Sequence, residues 1–140
     1  MPVTATPIFP QTITTGVTQI LPADTTTLKT LFTAGANGSK IDNILVTSTD
    51  TGAKDLQLVV TISAVDYIVG TFTVPANTGN TNSTVTLNAL AHPQLFNALN
   101  VDNNGNRCLF LATGAVLRVK SIATVTATRV ISLIAQGGNF

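Results

Sequence analysis

Leu56, Leu58, Val60 and Ile62 occupy alternate positions of one short run, and turn-forming residues interrupt the chain roughly every ten residues on either side. Successive side chains of a strand point to opposite faces, so this run buries one apolar face only as a β-strand. Eight segments read as strands: Thr25–Thr33, Ile41–Thr49, Leu56–Ser63, Tyr67–Val74, Thr84–Leu87, Arg107–Ala112, Ala115–Ile122 and Thr126–Gln136. Asn37-Gly38, Asp50-Thr51-Gly52, Asp66, Pro75 and Thr113-Gly114 punctuate them as turns or stops. The segment Ala76–Ser83, rich in Asn and Thr, is expected to be an exposed polar loop. Residues 88–99 form the only plausible helix, with Leu95, Phe96 and Leu99 at helical spacing and Pro93 in a first turn.

About eight short strands and one long connection carrying a helix predict an all-β fold, a jelly-roll-like β-sandwich. At 140 residues the chain suits one domain, and 44% hydrophobic residues suffice for a core without disulfide or metal. Residues 25–140 are expected to form the sandwich. Residues 1–24 carry Pro2, Pro7, Pro10 and Pro22, which predict an extended N-terminal arm poor in ladder pairing. That arm also carries Ile8, Phe9 and Ile13, apolar residues that a solvated tail would lack. They are expected to anchor the arm on a neighbouring molecule; the alternative is a first strand lying along the chain's own sheet.

Only 9% of residues are charged, against about 25% in an average domain, and there is no glutamate. Hydroxyls and amides are cheaper to desolvate than charges, so such a surface suits burial against other subunits. The seven Lys and Arg are scattered and the net charge is +1, which argues against a nucleic-acid partner. No apolar stretch reads as a membrane span, and the N-terminal residues lack the pattern of a secretory signal. Folding in a cytoplasm is the expectation.

Chemistry is sparsely supplied. His92, the one histidine, precedes a proline and reads as a cap or turn residue. The six aspartates fall mostly at strand ends, where they bond to nearby backbone amides. Cys108 lies in an apolar run and is expected to be buried and inert. Asp102, Asn104 and Asn106 alternate like a calcium loop, but Gly105 is misplaced and no downstream glutamate completes the site. No enzyme activity, catalytic residue, cofactor or metal is therefore expected.

Pro7–Thr12, Ala23–Lys40, Ser48–Leu58 and Gly70–Asn77 carry loose Thr/Gly patterns. Through them most of the chain resembles a group of small virion structural proteins of tailed bacteriophages. The resemblance implies a capsid decoration (cement) protein, located on the virion surface and made in the host cytoplasm. It implies the major capsid protein and further copies of itself, as a homotrimer, for partners. A phage tail, neck or fibre protein and a carbohydrate-binding β-sandwich module are the alternatives.

Overall fold

Alternation sorts the strands into two layers, as the sequence requires. The computed structural model describes residues 9–140. Its strands are β1 (Thr12–Ile20), β2 (Lys29–Thr33), β3 (Ser39–Ser48), β4 (Lys54–Ile62), β5 (Val65–Val74), β6 (Leu87–Asn88), β7 (Asn100–Val101), β8 (Arg107–Leu111), β9 (Val116–Ser121) and β10 (Ile131–Asn139). One sheet runs β1-β10-β3-β8-β7, with β6 added beside β3, and the other runs β2-β9-β4-β5. Every strand pair is antiparallel. The long strands pair in a nested manner: β4 with β5, then β3 with β8, β2 with β9 and β1 with β10.

The two inner faces meet in one core, an all-β sandwich. Leu56, Leu58, Phe72, Val74, Leu117 and Val119 come from one sheet, and Ile20, Ile41, Ile44, Val46, Ile131 and Leu133 from the other. Fully burying such a side chain contributes about 1.5–3 kcal/mol, so these residues dominate stability.

Four expectations need correction. First, residues 12–20 are not an irregular arm but an edge strand, paired residue by residue with β10 from Thr12↔Asn139 to Ile20↔Ile131. The prolines all lie outside it, at Pro10 and before or at Pro22 and after, so nothing in Thr12–Ile20 lacks a donor. Gly16 lets this strand close onto the other sheet: a Cβ there would lie 2.0 Å from the Leu31 carbonyl oxygen. Second, residues 88–99 hold no α-helix, only two single 3-10 turns, Ala89–Ala91 and Phe96–Ala98. Asn88 Oδ1 accepts from Leu90 N and from Ile44 N, both at 3.1 Å, which ties the segment to β3. Leu90, Leu95 and Leu99 then enter the core as separate plugs rather than as one helical stripe.

Third, the turn expected at Asp66 lies at Ser63 and Ala64, between the paired residues Ile62 and Val65. Both have positive φ, 51° and 64°, as a two-residue type I′ hairpin requires. Asp66 sits within β5, where its Oδ1 accepts from Thr61 Oγ1 at 2.6 Å. Fourth, the loop after β5 is not wholly exposed. Thr78 is buried, its carbonyl accepts from Ser48 N at 2.8 Å, and Asn77 N donates to the Asp50 carbonyl at 2.8 Å.

Candidate interaction surface

β1 ends its sheet, and its side chains alternate between core and solvent. Thr14, Gly16, Thr18 and Ile20 face inward; Ile13, Thr15, Val17 and Gln19 face out. Ile13 is 92% exposed and Val17 66% exposed. Directly opposite positions share a face, so Val17, Ile134 and Leu45 form a cross-strand apolar ladder on the outside of the sandwich. β1 and β10 contain no charged residue and no proline, and their pairing has no bulge. Natural edge strands usually carry such features as guards against strand addition.

At its Ile20 end this face forms a groove of about 620 Å³, lined by Val17, Leu21, Ile134 and neighbouring polar residues, with Lys29 as its only charged residue. Lys29 is paired with Asp24 at 3.0 Å. At the Thr12 end, Gln11 N donates to the Asn139 carbonyl at 2.8 Å and brings Phe9 beside Phe110 and Phe140. The last two rings stack at 6.5 Å between centroids. Of the three expected anchors, Ile8 lies outside the described residues. Phe9 borders this aromatic pocket yet stays 70% exposed, and Ile13 stands free on the outer face.

A second apolar patch escaped sequence reasoning. Residues 62–68, the end of the β4–β5 hairpin, are all exposed, and they include Ile62, Val65, Tyr67 and Ile68. Their run of apolar residues was visible, but a strand pattern does not tell which of its residues reach beyond the opposing sheet.

The remaining polar residues act locally. Asp50 is completely buried; Oδ1 accepts from Gly52 N and Thr126 Oγ1, and Oδ2 from Thr126 N, all at 2.9 Å. Lys54 Nζ approaches Oδ2 at 3.8 Å. Burial alone would raise its pKa, but the hydrogen bonds from Thr126 and Gly52 and the Lys54 charge outweigh it and hold the carboxyl below its ordinary range. Asp102 Oδ1 accepts from Asn104 N and Asn106 N at 2.9 Å, closing the would-be calcium loop as a turn. Its carboxyl is held low by the bond from Asn106 first, against burial, then by Asn104 and Lys40. His92 Nδ1 accepts from Gln94 N at 3.2 Å, in a turn. Cys108 is buried, and burial pushes its thiol pKa up.

Among the described residues, no group of three or more metal-ligating side chains comes together, and no helix is long and apolar enough to cross a membrane. No protein-family description, curated protein or solved structure matches the chain.

Proposed function

We propose that this chain is a structural virion protein, a decoration (cement) protein that stabilises a phage head by binding across capsid subunits. The observation that carries the reading is the uncharged β1–β10 face, with Ile13 and Val17 exposed and Phe9 leading off its end. Its outward pairs alternate apolar and uncharged polar, Val17↔Ile134 beside Thr15↔Gln136 and Gln19↔Ser132, a face that loses little solvation when another protein surface covers it. The composition supports it: a surface of Thr, Asn and Ser loses little on burial against a shell. The nested pairing, β1-β10-β3-β8 in one layer and β2-β9-β4-β5 in the other, supports a jelly roll, two interlocked Greek keys.

The mechanism is mechanical. Each copy buries surface on more than one shell subunit, so separating the subunits requires breaking its contacts too. A stable contact buries more than ~1,200 Å² in total. The test mixes the protein with candidate capsids and examines them by electron microscopy. Full-length protein should coat shells at regular positions, and a chain lacking residues 1–10, cut before β1, should stay folded and lose that coating. Equal coating by the truncated chain would remove the N-terminal anchors from the mechanism. If the full chain ignores shells but binds tails or necks, the decoration reading fails.

One observation favours a second reading, a carbohydrate-binding module. A cleft of about 510 Å³ is lined by Asp42, Asn88, Asp102, Asn106, Arg107 and Phe96, a mixture of donors and acceptors suited to sugar hydroxyls. The Arg107 guanidinium lies 3.6 Å from the Phe96 ring centroid and occupies one face of the ring, which works against stacking a sugar there. Binding on a glycan array decides this reading.

A further inference from the structure

The chain holds two Asn-Gly dipeptides, Asn37-Gly38 and Asn104-Gly105, and the fold treats them differently. Glycine has no side chain to keep its nitrogen away from the carboxamide before it, so this pairing is where asparagine is chemically weakest. Both glycines have positive φ, 87° at Gly38 and 82° at Gly105. Both also close a tight turn: Gly38 N donates to the Gly35 carbonyl and Gly105 N to the Asp102 carbonyl, each at 3.0 Å. Neither φ nor the turn bond therefore distinguishes the two.

Their surroundings do. Gly38 is buried, and a Cβ built on it would lie 2.9 Å from the Leu111 carbonyl oxygen. Asn37 Nδ2 donates to the Phe140 carbonyl at 3.4 Å, and Phe140 N donates to the Gly38 carbonyl at 3.2 Å, so Phe140 holds both residues of that dipeptide. Asn104 and Gly105 are both exposed, and nothing lies within 4 Å of a Cβ built on Gly105. The Asn104 backbone N–H donates to Asp102 Oδ1, but its side-chain amide makes no hydrogen bond among the described residues.

We infer that Asn104 is a site of spontaneous deamidation, which the fold leaves open while it shields Asn37. Gly105 N gives its proton to hydroxide and attacks Asn104 Cγ. The new N–C bond closes a succinimide ring as the bond to Nδ2 breaks, and ammonia leaves with a proton taken from water. A water molecule then opens the ring at either carbonyl. Opening at Cγ gives aspartate; opening at the backbone carbon gives isoaspartate, whose main chain runs through the former side chain and is one methylene longer. Nothing is oxidised or reduced, and water is the only co-reactant.

Either product carries a carboxylate that cancels the net charge of +1. The longer link falls inside the loop that Asp102 N closes on the Asn106 carbonyl at 2.9 Å, and across which Asp102 Oδ1 accepts from Asn104 N and Asn106 N. Isoaspartate opens that turn, and with it one wall of the cleft lined by Asp102, Gly105 and Asn106. The inference is independent of what the protein binds.

The test holds the folded chain in warm, mildly alkaline buffer and maps its peptides over time by mass spectrometry, with isoaspartyl methyltransferase labelling to mark isoaspartate. In the native protein Asn104 should convert about tenfold faster than Asn37, which must first give up a hydrogen bond and free a buried glycine. In urea both dipeptides are released, and their rates should converge. Asn104→Gln should abolish the fast conversion and leave the slow one at Asn37 unchanged. Equal native rates, a faster Asn37, or an Asn104 that reacts only in urea overturns the inference. So does a gap that persists in urea, because the fold would then not be its cause.

Discussion

Asp50 is a carboxylate with no accessible surface, kept ionised by three hydrogen bonds and a nearby ammonium group. It joins the end of β3 to the segment before β10 through Thr126, 76 residues away in sequence. Replacing it by Ala removes the buried acceptor shared by the Thr126 and Gly52 donors and the partner of Lys54, at a cost of about 2–4 kcal/mol, measurable by urea unfolding. The sign of its pH effect follows from the depressed pKa. The folded state favours the ionised form, so its contribution is fully present above the unfolded value of about 3.9 and is lost as pH falls through the folded pKa. The wild type should therefore lose Tm steeply in acid, and Asp50→Asn should flatten that fall. The sequence placed Asp50 at a strand end, which is where it is; its distant partner Thr126 left no local trace. Cys108 was legible because an apolar run has only one way to treat a thiol.

At the scale of elements, period two was legible where burial enforces it, since Leu56, Leu58 and Phe72 are all in the core, but it failed toward the hairpin: Ile62, on the same face as Leu58, is exposed, and a register shift opposite Leu58/Val59 turns Ile68 out of the face of Phe72. The errors occurred where local chemistry and tertiary packing disagree. Pro10 and Pro22 made β1 look irregular, although its pairing with β10 uses nine of the eleven residues between them. Leu95 and Leu99 mimicked a helix because plugging the end of a sandwich also wants apolar residues a few positions apart. The hairpin turn was missed because Ser63-Ala64 lacks the Asn-Gly signature that positive φ at both positions favours. That departure predicts a gain: Ser63→Asn with Ala64→Gly should relieve the left-handed strain and raise stability by about 1 kcal/mol in thermal or urea unfolding. An unchanged or lower stability would mean that the loop conformation differs.

For the whole molecule, nesting makes the outermost pair the most distant in sequence, Thr12 with Asn139. The β4–β5 hairpin closes locally, but β1 and β10 meet only after nearly the entire chain is in place. Folding dominated by such non-local pairing occupies the millisecond-to-second range, and stopped-flow refolding should find it there. β10 also lies between β1 and β3, so deleting residues 131–140 removes a central strand with Ile131, Leu133 and Ala135 from the core. That chain should lack cooperative unfolding altogether. The all-β, two-sheet architecture was legible at this scale because it depends on the alternating pattern; the strand number was not, since the eight expected segments omit β1. The two apolar patches were not, because whether Tyr67 or Val17 is covered depends on how far one sheet extends past the other.

The pairing of β1 with β10 has a practical corollary. Gln11 is bonded to Asn139 at 2.8 Å and Phe140 to Gly38 at 3.2 Å, so residues 11 and 140 meet at one corner of the sandwich. A short linker across that corner, from Phe140 to Gln11, would close the sandwich strands into a loop that can be reopened at another surface turn, such as Thr113-Gly114, as a circular permutant.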